Sequence, residues 1–563
     1  MATRKGKAKQ AQAPAADRAA AMPEDAKTLF SADGPFSAFV KGLDPMAMAG
    51  ATMNFYSSLF DIMIGKSDIA PDKRDWRFQD ATWTTNPFYK RLGQAYLAMC
   101  EAVEQMIPDD LTPEDKARAD LASAIVTSMF APTNTLLGNP AAMTRTMQTG
   151  GSNLARGAAA FMRDLRHNGG LPSQVDDSGF EVGVNMAVTP GKIVLRTPMF
   201  ELIEYAPSTE KVHETPVLLI PPQIGRYYFT DLAPGRSFAE YTVAQGLHYF
   251  AVSWKNPSPE ERDWGLDAYI ESALEAIEAV SAISGGSAEK PAKVSIVGFC
   301  AGGILASIVA AWLAAKGRDL INTLTLCVTM LDFKTDAALG AFRFPTVLSV
   351  AKAQSAMKGV LPGQDLSKIF TWLRPNDLVW NYWVNNYLMG DAPPAFDILA
   401  WNKDSTNIAA KLHTDFLELF EANSLIRQGE YEAMGERIDL GKITVDNFVV
   451  GAVTDHLTPW KCCYEAQKHL GGTSHTFALS NGGHVAALVN PPGNPKAFHV
   501  MGPANAPEAD AWMEASERMP GSWWESWTKW VASRSGNPVP APKAFGSKRF
   551  VPVGDAPGQY ITS

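Results

Sequence analysis

The spacing of apolar and polar positions changes along this chain. From about residue 26 to about 180, apolar residues recur at helical spacing and strand patterns are few, so we predict an N-terminal helical domain over residues 26–180. Residues 191–205 then read as two strands of an antiparallel hairpin. After them, helix patterns alternate with four apolar strand patterns, near residues 217–220, 247–252, 294–299 and 323–328. Such alternation is typical of an α/β fold with a mostly parallel sheet.

One strand pattern ends in a glycine-rich turn that carries a cysteine. The run from Lys293 to Gly303 reads KVSIVGFCAGG, so an apolar strand leads into G-x-C-x-G-G and then into a small-residue helix pattern. A nucleophile elbow has this order, because the reacting atom projects from a sharp turn where glycines avoid clashes. We predict that Cys300 is a nucleophile for acyl transfer through a thioester. A buried small cysteine beside a glycine turn is the competing interpretation.

An elbow of this type requires an acid and then a histidine later in the chain. Asp455 follows a β-rich run that begins at Asn447, and parallel sheets present catalytic side chains at the carboxyl ends of their strands. His484 follows the strand pattern of residues 475–479 and a Ser-Asn-Gly-Gly loop. We therefore assign Asp455 as the acid and His484 as the base. His456 adjoins Asp455 and is the rival base.

Two backbone N–H groups are candidates for an oxyanion hole. In this geometry one donor is the backbone N–H of the residue after the nucleophile, and that residue here is Ala301. The other donor lies in a loop after an early strand. The sequence Pro-Pro-Gln-Ile-Gly at residues 221–225 follows the strand pattern of residues 217–220, so we nominate the Ile224 N–H. Alternatively, the two prolines only terminate that strand.

The alternation of strands and helices stops between about residues 331 and 440. Aromatic and helical stretches take its place, as at Trp372, Trp380 and Trp401. An insertion before the acid-bearing strand is where α/β-hydrolase folds carry a cap, which excludes water and can gate the site. We predict a catalytic domain at residues 181–563 with a cap insertion at about 331–440. Residues 1–25 are rich in Ala, Lys, Gln and Pro, which predicts a disordered tail.

The composition argues against several classes of protein. The 563 residues are 46% hydrophobic, which is enough for a large core. A formal net charge of −9 without a basic stripe argues against a nucleic-acid partner. We recognise neither a signal peptide nor an apolar stretch of transmembrane length. The five cysteines show no disulfide framework and no metal spacing, so we expect a reducing cytoplasm and no metal.

Long runs around these residues resemble the polyhydroxyalkanoate synthases, which polymerise (R)-3-hydroxyacyl-CoA into storage polyester. The resemblance extends from about residue 50 to the C-terminus. It rests on the elbow, on LRPNDLVWNY at residues 373–382, and on GGHV at 482–485 followed by NPPGNP at 490–495. It places the family's nucleophile, acid and histidine on Cys300, Asp455 and His484.

The resemblance does not fix the length of the substrate. Phe299, before the nucleophile, resembles the short-chain class of single-subunit synthases. Three other runs resemble the medium-chain class, at residues 131–135, 139–142 and 381–386. The resemblance further implies a cytoplasmic homodimer on the surface of polymer granules. It implies no cofactor, since CoA is part of the substrate and is released.

In the implied mechanism, His484 takes the Cys300 proton and the thiolate attacks the CoA thioester. His484 then activates a 3-hydroxyl group, and Asp455 assists or orients it. Two other functions remain open at this point. A cysteine hydrolase of dienelactone or thioester type would use the same residues with water as acceptor. A non-catalytic granule-associated protein would not need the ordered Cys, Asp, His set.

Overall fold

The structure is a computed structural model that describes residues 45–287, 289–335, 338–472 and 474–562. The predicted tail at residues 1–25 lies outside the described residues. The α-helices are, in chain order, α1 Pro45–Met63, α2 Thr82–Thr85, α3 Pro87–Gln105, α4 Pro113–Met129, α5 Pro140–Gln148, α6 Ser152–His167, α7 Phe238–Ala244, α8 Leu266–Ile283, α9 Ala301–Ala315, α10 Pro345–Lys358, α11 Gly363–Trp372, α12 Asp397–Lys403, α13 Ala410–Ala422, α14 Trp460–Ala466, α15 His484–Leu488, α16 Ala509–Ala515 and α17 Trp523–Ala532.

The centre of the fold is an 11-stranded sheet. Its strands are β1 Gly191–Arg196, β2 Phe200–Tyr205, β3 Val217–Ile220, β4 Tyr249–Trp254, β5 Val294–Phe299, β6 Ile321–Cys327, β7 Asp446–Ala452, β8 His475–Ser480, β9 Phe498–Pro503, β10 Glu517–Pro520 and β11 Gly554–Asp555. They lie in the order β10-β9-β8-β7-β6-β5-β3-β4-β2-β1-β11. Among the described residues, three short strand pairs lie outside this sheet: Lys211–His213 with Pro538–Pro540, Val360–Leu361 with Ile408–Ala409, and Glu432–Ala433 with Glu436–Arg437.

Strands β3 to β8 pair in parallel and form the middle of the sheet. The flanking strands pair antiparallel, including the predicted hairpin of β1 with β2. The expected α/β fold with a mostly parallel sheet is therefore confirmed. The parallel strands are buried along nearly their whole length, because helices cover both faces of the sheet.

Helices α1 to α6 precede the first strand of the sheet. Local signals set where they begin: Asn86 accepts N–H bonds from Phe88 and Tyr89 at the start of α3, and Thr112 accepts from Asp115 at the start of α4. A proline occupies the first turn of both helices, where its missing N–H costs nothing. This helical stretch fits the predicted N-terminal domain, although its exact bounds stay a prediction.

The tryptophans near the C-terminus pack on the sheet. Trp523, Trp524 and Trp527 on α17 are fully buried. The Trp527 indole N–H donates to Thr325 Oγ1 of β6 at 3.0 Å, and the Trp530 ring lies 5.3 Å from that of Phe448 on β7. The helix face is therefore part of the core.

The region predicted as a cap is helical and lies against the N-terminal helices. It holds α10 to α13 and two π-helical segments, Asn376–Trp380 and Trp383–Leu388. The Trp380 indole N–H donates to Ser128 Oγ at 3.0 Å, and that of Trp383 donates to the Asn134 carbonyl at 3.1 Å. Packing accounts for these aromatic residues. Among the described residues, none of the helices is long and apolar enough to span a membrane.

Candidate active site

Cys300 lies in the turn between β5 and α9, with backbone angles φ 51° and ψ −121°. A positive φ is costly for a residue with a Cβ, so the surroundings must hold it. A Cβ on Gly298 would lie 2.5 Å from the Gly303 Cα, and one on Gly303 would lie 2.0 Å from Thr329 Oγ1. Neither position can therefore carry a side chain. The turn has the close packing of a nucleophile elbow.

The end of β6 secures this turn. The Cys300 N–H donates to the Cys327 carbonyl at 2.9 Å. The Thr329 hydroxyl lies within hydrogen-bond distance of two carbonyls, that of Cys327 at 3.0 Å and that of Cys300 at 3.2 Å. These contacts stabilise the strained backbone at the position of the candidate nucleophile.

The Asp455 carboxylate lies in a turn just beyond β7 and is fully buried. Its Oδ1 accepts the N–H groups of Leu457 and Thr458, both at 2.9 Å, and its Oδ2 accepts the Thr458 hydroxyl at 2.7 Å. Burial acts to raise the pKa of Asp455, but the charge of His484 and the bonds from His484 and Thr458 outweigh burial, and the pKa is lowered. The group is therefore a carboxylate at neutral pH.

His484 is the first residue of α15, and only 10% of its side chain is exposed. Its Nδ1 lies 2.7 Å from Asp455 Oδ2, which leaves Nε2 for Cys300. Burial acts to lower the pKa of His484, but the negative charge of Asp455, followed by the effect of the adjacent Cys300, outweighs burial and raises the pKa to about 10. The structure therefore brings together the three residues that the sequence nominated.

His456 has a different environment. Burial, followed by the charge of Arg374, lowers the pKa of His456 to about 4, so its imidazole is neutral at neutral pH. Its Nδ1 is buried and has no hydrogen-bond partner in the described part of the chain. The Asp455 carboxylate pairs with His484 and not with His456. This geometry favours His484 over the rival base.

The two nominated oxyanion donors lie on adjoining segments. Ala301 is the first residue of α9, and a Cβ on the next residue, Gly302, would lie 2.3 Å from the Ile220 carbonyl oxygen and 2.6 Å from the Pro221 carbonyl carbon. The loop of residues 221–225 therefore starts directly against the elbow. Within the described ranges, the N–H groups of Ala301 and Ile224 donate to no protein acceptor. Neither N–H group is therefore bonded to another acceptor among those residues.

Sequence reasoning missed three polar residues of the site. Thr458 binds the carboxylate of Asp455, and its position three residues after an aspartate is a turn signal that the sequence does contain. Thr329 supports the elbow through a contact that no local pattern indicates. Gln223, in the loop of residues 221–225, is 5% exposed, and its amide N and O have no partner among the described residues. A buried amide of this kind normally pairs with water or a ligand.

A cavity of about 890 Å³ lies between α6, α11 and the C-terminal part of α12 in the predicted cap. None of Cys300, Asp455 and His484 lines it. Over the residues that the structure describes, no group of three or more His, Cys, Asp or Glu side chains is arranged to hold a metal ion.

Comparisons with known proteins identify the family to which the chain is similar. Residues 74–242 match the family model described as poly-beta-hydroxybutyrate polymerase (PhaC) N-terminus, and residues 216–491 match the alpha/beta hydrolase fold. The chain is 42% identical over 520 residues to poly(3-hydroxyalkanoate) polymerase 2 of Ectopseudomonas oleovorans, covering 92% of this chain and 91% of that one. It is 36% identical over 522 residues to the poly(3-hydroxyalkanoate) polymerase subunit PhaC of Cupriavidus necator, covering 90% and 87%.

A solved structure, the monoacylglycerol lipase of Paleococcus ferrophilus, shares 14% sequence identity with the chain. The match covers 58% of this chain and 98% of the lipase, with a TM-score of 0.32.

Proposed function

Because this chain belongs to the poly(3-hydroxyalkanoate) polymerase family, an enzyme family that polymerises hydroxyalkanoates, we propose that it acts on (R)-3-hydroxyacyl-CoA through an acyl-enzyme on Cys300. The observation that carries the proposal is the contact between His484 and Asp455 beside the Cys300 elbow, with Nδ1 2.7 Å from Oδ2. In this arrangement Cys300 acts as the nucleophile, His484 as the base and Asp455 as the orienting acid of an acyl-transfer triad.

In the loading step, Cys300 Sγ attacks the thioester carbonyl carbon, a C–S bond to the enzyme forms and the C–S bond to CoA breaks. His484 carries the cysteine proton as an imidazolium and passes it to the departing CoA sulfur, which leaves a neutral imidazole for the elongation step. The pKa of His484 near 10 means that the imidazole holds a proton at neutral pH and faces the sulfur as a cation. This charge favours the thiolate, which is the reactive form of cysteine.

The N–H groups of Ala301 and Ile224 are proposed to bind the oxyanion of each tetrahedral intermediate. In the elongation step, a 3-hydroxyl oxygen attacks the acyl group on Cys300, and His484 takes the hydroxyl proton. A C–O bond forms and the C–S bond to Cys300 breaks. Exchange of one thioester for another preserves the activation of the acyl group. Transfer of that group from the thioester to the hydroxyl, which forms an oxoester, then lowers the free energy.

We propose a cytoplasmic setting for the enzyme, on the surface of polymer granules. All five cysteines are free, which fits a reducing cytoplasm. Helix α1 exposes large apolar side chains at helical spacing, with Met53 75%, Tyr56 66% and Phe60 60% exposed. An exposed apolar stripe fits an apolar partner such as the surface of a polyester granule. We further propose a homodimer, an N-terminal helical domain at residues 26–180 and a cap at about 331–440 that covers the site, with no cofactor required.

Incubation of the purified protein with 3-hydroxyacyl-CoA of several chain lengths tests the proposal. We expect CoA release together with insoluble polyester, and the length that gives the highest kcat/KM identifies the substrate class. Release of free 3-hydroxy acid without polymer would instead identify a thioester hydrolase. Absence of both products, together with an unreactive Cys300 thiol, would favour the non-catalytic granule protein.

Substitution of Asp455 by asparagine is expected to stop elongation while allowing loading. Asp455 is the strongest cause that raises the pKa of His484, so the pKa falls without the carboxylate and His484 becomes a weaker base. An alcohol is a much weaker acid than a thiol, so the elongation step suffers more than the loading step. Rapid-quench measurement should show a burst of CoA close to one per active site, followed by a steady rate reduced by about 100-fold or more.

Asp446→Asn is a matched control for this experiment. Asp446 lies at the opposite end of β7 and pairs with Arg534 at 2.8 Å, away from the proposed site. We expect the control to show both the burst and the normal steady rate. If Asp455→Asn produces no burst, the carboxylate is needed equally for loading, and the proposed division between the two steps is wrong.

A further inference from the structure

Side chains of the predicted cap hold the loop that carries the proposed oxyanion donor. The Gly225 N–H, next to Ile224, donates to Thr406 Oγ1 at 2.8 Å. The Arg226 carbonyl accepts the indole N–H of Trp401 at 2.8 Å. Residues 401–406, which we name the clamp, therefore bind backbone groups of the two residues that follow Ile224.

A third residue of the clamp binds side chains of the same loop. Asp404 Oδ1 accepts from Arg226 Nε at 3.2 Å, and Asp404 Oδ2 accepts the Tyr228 hydroxyl at 2.9 Å. Burial, followed by the charge of Asp404, raises the pKa of Tyr228, so the phenol stays protonated and remains a donor. One carboxylate thus joins two positions of the loop to the clamp.

The clamp and the loop are also closely packed. Gly225 has a φ of +82°, and a Cβ there would lie 3.0 Å from Trp401 Cζ2. The Trp401 ring centroid lies 5.1 Å from that of Phe229, and the Phe229 ring lies 5.8 Å from that of Phe299, the residue before Cys300. A continuous row of rings therefore connects the clamp with the elbow, and the loop has little space in which to move.

We infer that the clamp positions the Ile224 N–H, so that the oxyanion hole is complete only while residues 401–406 are seated on the loop of residues 221–228. This inference rests on the proposed function. Thr406, Asp404 and Trp401 are then positioning residues, because they act through the loop and do not touch the reacting atoms. A displacement of the donor by about 1 Å is enough to weaken transition-state stabilisation strongly.

Release of the clamp also affects the fate of the acyl-enzyme. A lid that only excludes water would, when opened, expose the Cys300 thioester to hydrolysis. If the clamp also completes the oxyanion hole, its release removes the N–H donor that hydrolysis needs. While the cap is open, the acyl-enzyme therefore reacts slowly with water and with the next hydroxyl group. Loaded acyl groups then survive until the clamp is seated again.

Replacement of Thr406 by valine tests the inference, because it removes the acceptor of the Gly225 N–H with little change in shape. We expect kcat for CoA release to fall about tenfold and KM to change by less than about twofold, as expected for a loss confined to the transition state. The fraction of acyl groups released as free 3-hydroxy acid should not rise. Thr406→Ser, which keeps the hydroxyl, should restore at least about half of the wild-type kcat.

Thr371→Val is the matched control. Thr371 is also a buried threonine of the predicted cap, but its hydroxyl donates to the Ser367 carbonyl within its own helix at 2.9 Å. We expect wild-type kcat, KM and product ratio. If Thr406→Val does not fold, as judged by its melting temperature, Asp404→Asn takes its place and should show the same lower kcat at unchanged KM.

Three outcomes would overturn the inference. A Thr406→Val enzyme with wild-type kcat would show that the clamp does not position the donor. A rise in KM or in free 3-hydroxy acid at unchanged kcat would assign the clamp to a lid alone. Wild-type protein that releases no CoA from any 3-hydroxyacyl-CoA would overturn the proposed function and the clamp with it, whereas the first two results leave the proposed function intact.

Discussion

Replacement of Cys300 by alanine is expected to abolish CoA release and polymer synthesis while the fold stays intact. Alanine keeps the Cβ that the elbow already accommodates at φ 51°, so the change removes the sulfur without new strain. No acyl-enzyme can form without the nucleophile, and the rate should fall by at least about 10⁴-fold. CoA release assayed with a thiol-reactive dye, together with the melting temperature, checks both parts of the prediction.

Cys300→Ser should be nearly as inactive as the alanine variant. A serine hydroxyl is a much weaker acid than a thiol, so a histidine matched to a thiol is a poor base for it. Cys100→Ala is the control, since Cys100 is another half-buried free cysteine but lies on α3 in the N-terminal helices. Polymer made at the wild-type rate by either Cys300 variant would show that the nucleophile has been assigned wrongly.

The strands at the centre of the sheet were predictable because their apolar runs have sharp local ends. Residues 217–220 and 294–299 match β3 and β5 to the residue, and proline or the elbow follows each of them. The strand predicted at 247–252 begins two residues later, at Tyr249. Its ladder with β3 starts at the pair Val217 and Tyr249, so the neighbouring strand, and not local hydropathy, determines where it begins.

Antiparallel strands at the edges of the sheet could not be located in the same way. Strand β11 has two residues, Gly554 and Asp555, and exists only because it pairs with Lys192 and Ile193 on β1. A pairing across more than 350 residues leaves no periodic signal in so short a segment. Edge strands of this kind depend on tertiary contacts that a single sequence does not display.

The candidate triad was predictable because its chemistry constrains both residue type and order. Cys300 was found from its glycines, and Asp455 and His484 from their places after two strands. The local detail differs: Asp455 lies three residues beyond the end of β7, and His484 begins a short helix and not a loop. Thr406, by contrast, is 181 residues from Gly225, and no motif connects the two positions. Only the fold reveals the clamp.

Substitution of His484 by alanine is expected to lower turnover by about 10³-fold or more, whereas His456→Ala should cost less than about tenfold. His484 bonds to Asp455 and faces Cys300, and its pKa near 10 provides a cation beside the sulfur at neutral pH. The pKa of His456 is about 4, so its neutral ring supplies neither that charge nor a bond to the carboxylate.

The alkylation rate of Cys300 by iodoacetamide at pH 7 gives a second measurement that does not depend on turnover. Loss of the His484 cation should slow alkylation, because the thiolate loses its neighbouring positive charge, while His456→Ala should leave the rate close to that of the wild type. His413→Ala is the matched control: burial also lowers the pKa of His413 to about 4, but its Nδ1 lies 2.9 Å from Ser355 Oγ in the predicted cap. Equal losses of turnover in the His484 and His456 variants, with unchanged melting temperatures, would mean that the two histidines share the role assigned to His484 alone.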